Sequence, residues 1–283
     1  MLPNFPTNAL IAELDPLIIS SPTIRAGTTL LQRLLCSSRK ALIYGEMCGQ
    51  DLEFFLNLYT FKVQEYNYHR QRYVRGLDRV LKGDVNDWIP DLMPDIDEYL
   101  AAISQAAFAG IIYCRDYAAK VGRPVWGFKH PRWKPPMVRL LRAVMPKSRF
   151  IFIYRDVVDC LKSAKAQQAI NSDQEVYEFC QAWVEGVEYL LNPGDDPALL
   201  VLRYERLMSE PETTLERIAE FSGVDDVNPA VLQRKINAWT GEDYIAQAKD
   251  GYTLPADLTE AEMQIVNDTT SALRASLYAD VIA

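Results

Sequence analysis

The sequence has few histidines and no apolar run long enough to cross a membrane. Among 283 residues only two are histidines, His69 and His130, so a histidine-based metal site is not expected. The five cysteines are scattered without a C-x-x-C pair, which argues against a zinc ribbon or a disulfide framework and predicts reduced thiols in a cytoplasmic protein. No segment approaches the roughly 18–20 consecutive apolar residues of a membrane span. The first fifteen residues lack a basic start before an apolar run, so no signal peptide is expected either.

Excess positive charge is also missing. The chain carries 38 acidic and 30 basic residues, a net charge of −8, which argues against a nucleic-acid partner and against a cationic membrane-surface protein. The segment from Lys129 to Lys165 is different, because it holds ten basic residues and only two acidic ones. We therefore expect a local anion-binding site inside an acidic protein.

Short apolar runs alternate with longer helical patterns along the chain. A composition of 49% hydrophobic and 24% charged residues is ordinary for a globular protein with a sizeable core. The five runs that read as strands are Leu17–Ser20, Ala41–Tyr44, Val125–Lys129, Arg149–Tyr154 and Leu199–Arg203. Predicted helices cover Thr28–Ser37, Gln64–Leu81, Asp95–Val121, Pro135–Val144, Val157–Ala169, Glu175–Leu191, Thr213–Phe221 and Thr259–Leu277.

This alternation predicts the fold class. Fully apolar strands separated by helices are typical of an α/β protein with a parallel sheet covered by helices on both faces. We expect one domain over residues 1–283, with a helical insertion at about residues 50–120 between the second and third strands.

The loop after the first strand has the composition of a phosphate cradle. In open α/β sheets ligands bind at the carboxyl ends of the strands. Here Arg25 and Gly27 precede Thr28 and Thr29, which begin a predicted helix whose free N–H groups favour an anion. The loop is not a Walker A motif, because Thr28 stands where that motif requires lysine. An ordinary helix cap at Thr28 is the alternative interpretation.

A second anion site is predicted where the fourth strand ends. Arg155 follows that strand directly, and Ser163 lies about two turns into the next helix. A solvated basic helix face would explain most of the positive charge in this region, but not an arginine at the edge of the sheet.

Three segments in this order resemble the sulfotransferases that use 3′-phosphoadenosine-5′-phosphosulfate (PAPS). Ile18–Leu31 is similar to the family's 5′-phosphosulfate loop, and Arg155 with Ser163 to its 3′-phosphate site. Leu200–Glu212 is similar to its "RYEDL…P" segment, and Glu220–Val224 to the "EFLG" that follows. The nearest branch is the bacterial and tyrosylprotein type. The resemblance implies a P-loop-like fold, PAPS as the donor and adenosine 3′,5′-bisphosphate (PAP) as the product, with no metal required.

The resemblance also implies roles for individual residues. The predicted cofactor-binding residues are Arg25, Ala26, Gly27, Thr28, Thr29, Arg155, Ser163 and Tyr204, of which Tyr204 could equally pack beneath the sheet. The predicted catalytic residues are Glu46 as general base, Lys129 and Arg25 as cations on the transferred group, and His130 as the rival base. Arg234 and Lys235 are candidates for the family's late basic element.

The sequence gives the least information about the acceptor. Aromatic residues of the helical insertion could line an apolar cleft, although aromatic residues at helical spacing are more often plain core. We expect a hydroxyl on a small molecule or a peptide. Two other functions remain open: a P-loop nucleotide kinase that uses ATP and Mg²⁺, and a catalytically inactive nucleotide-binding module of the same fold.

Overall fold

A computed structural model gives the fold of the chain. It describes residues 9–84, 86, 88–89, 91–191, 196–234, 236 and 256–278. Five strands form one sheet: β1 Leu17–Ser20, β2 Ala41–Tyr44, β3 Val125–Lys129, β4 Arg149–Tyr154 and β5 Leu199–Arg203. All five have the bounds expected from the sequence, because each is a short apolar run that ends in polar or turn residues.

Ten α-helices and a 3₁₀ helix at Pro229–Gln233 occupy the described part of the chain. The α-helices are α1 Ala9–Ala12, α2 Thr28–Cys36, α3 Glu46–Leu81, α4 Ile96–Lys120, α5 Pro135–Val144, α6 Val157–Ala166, α7 Asp173–Leu191, α8 Tyr204–Ser209, α9 Pro211–Ser222 and α10 Glu260–Leu277. The first turn of α10 is a capping box: the Thr259 hydroxyl accepts from the Glu262 N–H at 3.2 Å, and the Glu262 carboxylate accepts from the Thr259 N–H at 2.7 Å.

The sheet is parallel, with strand order β2-β3-β1-β4-β5. β1 is central, and Leu17 pairs with Gly127 of β3 on one side and with Arg149 of β4 on the other. Parallel neighbours end at the same edge, so the loops after β1, β3 and β4 lie side by side. The expected α/β class, with helices on both faces and a P-loop-like sheet, is confirmed.

The two faces of the sheet support different cores. Ile18, Phe150 and Phe152 point into a cluster shared with α3, α4 and α5, whereas Ile19 and Ile151 point into an aliphatic cluster with α2. This alternation is the period-two pattern of a strand buried on both sides. A third cluster around Trp183 joins α6, α7 and α10.

The helical insertion lies between β2 and β3 as expected, but its first helix begins earlier than the sequence pattern indicates. Helix α3 begins at Glu46, not at Gln64, and packs antiparallel to α4. Leu52, Leu56 and Tyr59 are buried against the sheet, while Phe54 and Phe61 of the same turns are exposed. Helix α3 thus has one apolar stripe that faces the core and another that faces solvent. Because apolar residues occur on both faces, the helical period of about 3.6 residues is not visible in the sequence.

Candidate active site

The loop between β1 and α2 is tightly folded beneath an aromatic ring. Gly27 caps α2 in the left-handed region, with a φ of 100°. A Cβ at this position would lie 2.5 Å from Cδ2 of Tyr204, so a side chain would fit neither the backbone nor the space. No side chain caps the first N–H groups of α2, which begins with Thr28 and Thr29. The loop therefore presents free donors and two hydroxyls at a helix N-terminus, where an anion is favoured.

A lysine, a glutamate and a threonine meet beside this loop. The ammonium of Lys129, at the end of β3, donates to the Thr29 hydroxyl at 3.0 Å and also to the carboxylate of Glu46. Lys129 is buried, while the side chain of Glu46 is 53% exposed. The buried ammonium thus faces the helix N-terminus, and the carboxylate is accessible from outside.

Close packing of α3 against the end of β3 brings Glu46 to this position. A Cβ at Gly49 would lie 2.7 Å from Cβ of His130 and 3.2 Å from the carbonyl oxygen of Lys129. Only glycine permits this approach. Glu46, one turn earlier on α3, is thereby placed within reach of the ammonium.

Two arginines line the cleft together with Ser163 at the second predicted anion site. Nε of Arg25 donates to the Ser163 hydroxyl at 3.0 Å, which brings the Arg25 guanidinium to this site. Arg155 donates to Asp159 at 3.1 Å, and its guanidinium lies 4.6 Å from the ring centroid of Tyr204. Its Nε is buried and has no hydrogen-bond partner among the described residues. A buried donor without a partner is costly, so an anion that paired with it would be stabilised.

The two predicted anion sites line one cleft of about 580 Å³. Of the predicted cofactor-binding residues, Arg25, Gly27, Thr28, Thr29, Arg155, Ser163 and Tyr204 contribute to its lining, as does the predicted base Glu46. Ala26 is different, because its side chain is buried in the core cluster around Trp183.

His130 faces a different cavity. It lines a second space of about 530 Å³, between α3, α7 and the loop after β3, and its ring stacks on Trp133 at 5.7 Å. Its Nε2 lies 4.0 Å from the carboxylate of Glu53. Burial lowers the pKa of His130 below the ordinary value of 6.5, although the Glu53 charge acts in the opposite direction.

The cleft also contains residues that the sequence pattern does not identify. Met208, Leu232 and Ile236 give it an apolar end. Arg234 lines this end too, whereas Lys235 lies outside the described residues. The three apolar residues form no motif and are contributed by separate segments, so only the fold brings them together.

Among the described residues, no helix is both long and apolar enough to cross a membrane. Within the same residues, no group of three or more His, Cys, Asp and Glu side chains is arranged to hold a metal ion. All five cysteines are free thiols.

Comparison with solved structures returns sulfotransferases of low sequence identity. The sulfotransferase domain of the curacin biosynthetic pathway is 16% identical, with a TM-score of 0.49, over 92% of this chain and 98% of that one. The sulfotransferase domain of the Synechococcus PCC 7002 olefin synthase is 17% identical, with a TM-score of 0.46, over 91% and 96%. A mouse sulfotransferase complexed with PAP is 10% identical, with a TM-score of 0.45, over 94% and 91%.

The family assignment rests on sequence, since these TM-scores lie below 0.5. No curated protein sequence matches the chain. A family model described as the sulfotransferase family matches residues 17–229, which include the whole sheet and both predicted anion sites. By this match over most of its length, the chain belongs to the sulfotransferase family.

Proposed function

We propose that the protein transfers the sulfuryl group of PAPS to a hydroxyl acceptor. The contact of the Lys129 ammonium with both Glu46 and Thr29 carries this proposal, because it joins a base, a cation and a helix N-terminus at one point. The second anion site at Ser163 opens into the same cleft. PAPS carries a phosphosulfate on the 5′ position of its ribose and a phosphate on the 3′ position, which matches two anion sites in one cleft.

The donor-binding roles follow from the two ends of the cleft. Gly27, Thr28 and Thr29 would hold the 5′-phosphosulfate with backbone N–H groups and hydroxyls. Arg155, Ser163 and Arg25 would hold the 3′-phosphate, and a guanidinium can bind such a group through two hydrogen bonds. Tyr204 would position both ends, because its ring touches Gly27 and lies against Arg155.

Electrostatics and positioning would do most of the catalysis, as in phosphoryl transfer. Glu46 takes the proton of the acceptor hydroxyl, and the acceptor oxygen forms a bond to sulfur in line with the leaving group. The bond from sulfur to the bridging oxygen breaks, and its electron pair leaves with PAP. Lys129 stabilises the negative charge on that bridging oxygen. Its present pairing with Glu46 would loosen as the donor arrives, which frees the carboxylate to act as a base.

His130 is the competing base. It belongs to the neighbouring cavity and its Nε2 faces Glu53. We favour Glu46 because it lines the same cleft as both anion sites and contacts Lys129. The acceptor would be a small molecule or a peptide with a free hydroxyl, and we expect the protein to act as one domain in the cytoplasm.

Thermal shift with PAP and with ATP plus Mg²⁺ tests the donor. We expect PAP to raise the melting temperature and ATP plus Mg²⁺ to have little effect. Stabilisation by ATP plus Mg²⁺ alone would favour the kinase and contradict the proposal. Sulfated product formed from PAPS and a mixed hydroxyl library would then distinguish an enzyme from an inactive nucleotide-binding module.

Single substitutions decide between the two candidate bases. Glu46→Gln should lower kcat by about 10²- to 10⁴-fold, as expected for loss of a general base, and leave PAP binding unchanged. His130→Gln is the matched comparison and should retain a much larger share of kcat than Glu46→Gln does. Near-normal turnover of Glu46→Gln, with collapse of His130→Gln, would transfer the role to His130.

A further inference from the structure

A second cavity begins one helical turn beyond Glu46. Gln50 and Asn57 of α3 line this space of about 530 Å³, which reaches Pro22 of the phosphate loop and Gly186 of α7. Its floor includes His130, the residue next to Lys129. The cavity therefore lies next to the segments that carry Glu46 and Lys129, and its lining shares no residue with that of the nucleotide cleft.

The cavity combines apolar walls with charges that cancel. Glu53 and Glu185 oppose Arg132 and Lys134, and the lowered pKa of His130 leaves its imidazole neutral near pH 7. Such a lining favours a polar group without net charge, because an ion would find as much repulsion as attraction.

An exposed apolar stripe extends from this cavity along α3. Its members are Met47, Phe54, Leu58, Phe61 and Tyr68, with exposed fractions of 73, 66, 41, 57 and 84%. Four of them are spaced by seven residues, and Leu58 stands between Phe54 and Phe61, so all five share one face of the helix. Exposed apolar side chains that line up in this way are typical of a binding surface.

The position of the stripe beside Glu46 and the cavity limits what can bind to it. Met47 is the neighbour of Glu46, and Phe54 also lines the cavity, so the stripe and the cavity form one continuous surface. A second copy of the chain seated on Met47 and Phe54 would close access to Glu46. The acceptor, in contrast, can bind to the stripe and still present its hydroxyl to Glu46. From Met47 to Phe61 the helix rises about 21 Å, so an occupant that contacts both residues is elongated.

We propose that the acceptor is an amphiphilic alcohol with its uncharged, hydroxylated head in the cavity and its apolar tail on the α3 stripe. This inference rests on the proposed sulfotransferase function, for which it names the substrate class. Each methylene laid on the stripe should improve kcat/KM by about twofold, since an open face gives roughly half the benefit of full burial.

Alkyl glucosides of increasing chain length, held below the concentrations at which they form micelles, test this proposal with labelled PAPS as donor. For the unmodified protein we expect kcat/KM to rise steadily from methyl through hexyl and octyl to decyl glucoside. Phe61→Ser should flatten the rise for the longer tails and leave methyl glucoside unaffected. Leu81→Ser is the control, because Leu81 is also exposed on α3 but lies on another face.

Three results would overturn the amphiphilic acceptor. One is a kcat/KM that does not depend on chain length, and another is the absence of product from every glucoside. The third is light scattering that shows a dimer which Phe61→Ser dissociates, because a partner chain would then cover the stripe. Sulfated product from the mixed hydroxyl library, measured on the same samples together with PAP binding, reports separately on the sulfotransferase function. Failure of the acceptor class gives library product without glucoside product, whereas failure of the sulfotransferase function gives no product from either.

Discussion

Gly27 and Tyr204 illustrate how two distant residues define one wall of the cleft. The ring of Tyr204 occupies the space where a side chain at position 27 would stand. The same ring lies against the guanidinium of Arg155. A single aromatic side chain thus contacts both the phosphate loop and the second anion site.

We expect Gly27→Ala to destabilise the fold and weaken PAP binding. A non-glycine residue in the left-handed region costs about 1–2 kcal/mol, and the Tyr204 ring must also move. Gly83→Ala is a matched control, since Gly83 has a φ of +88° but no neighbour within 4 Å of the added Cβ. Chemical denaturation of both variants should give a larger loss for Gly27→Ala. Equal losses of unfolding free energy in the two variants would mean that the clash of the added Cβ with the Tyr204 ring costs nothing.

His130 should make stability depend on pH. Burial lowers its pKa, so the folded protein binds this proton less tightly than the unfolded chain. The contribution of the neutral imidazole is complete above the ordinary value of 6.5 and decreases as the pH falls through that value toward the folded pKa.

We therefore expect the difference in unfolding free energy between the unmodified protein and His130→Gln to shrink from about pH 7.5 to about pH 5.5. Urea denaturation at several pH values measures it, and the difference removes the titration of groups common to both proteins. A difference that stays constant over this range would show that the pKa of His130 is not lowered by folding.

At the scale of elements, α10 braces the helix that carries Ser163. The Lys165 ammonium of α6 donates to both carboxylate oxygens of Glu262, at 2.7 and 2.6 Å. At the other end of α6, Arg274 donates to Asp156 at 3.0 Å, and Asp156 caps α6 through the Val158 N–H. Helix α10 lies beyond the segment that matches the family model, residues 17–229, so this brace is an addition to the matched core.

Loss of the brace should weaken binding of the 3′-phosphate in particular. Glu262→Gln is expected to reduce PAP affinity by about three- to tenfold and to leave the affinity for 5′-AMP, which lacks that phosphate, nearly unchanged. Glu260→Gln changes an exposed acid in the same turn and serves as control. Calorimetric titration with both nucleotides measures the effect. An equal loss for PAP and 5′-AMP would indicate general destabilisation instead.

The elements also show what the sequence could predict. Strands with both faces buried are short apolar runs, so their bounds were readable directly, and the phosphate loop followed from Gly27 and the two threonines. The start of α3 was not readable, because a second apolar stripe from Met47 to Tyr68 overlies the core-facing one. The contact of Arg25 with Ser163 was also hidden, since 138 residues separate them and no local pattern encodes the direction of a side chain.

At the scale of the whole molecule, the helical insertion and the sheet share one core. Leu52, Tyr59 and Phe108 of α3 and α4 belong to the same buried cluster as Phe128 and Phe150 of the sheet. If the insertion and the sheet unfolded separately, the apolar residues of this cluster would be exposed on both of them.

We accordingly expect a single cooperative unfolding transition. Near-ultraviolet circular dichroism, which reports the aromatic core, and far-ultraviolet circular dichroism, which reports the helices, should give coincident midpoints. PAP should shift both by the same amount. Two separate transitions would contradict the description of the chain as one domain.

The central place of β1 has a consequence for how the chain folds during synthesis. Both neighbours of β1 come late in the sequence, since Leu17 pairs with Gly127 and with Arg149. The first strand must therefore wait for more than a hundred residues to leave the ribosome before any ladder forms beside it. Meanwhile α3 and α4 can pair locally, because contacts between near neighbours form sooner than contacts between distant ones. The insertion that would hold the acceptor would then assemble first, and the phosphate loop would be shaped only when β3 and β4 close around β1.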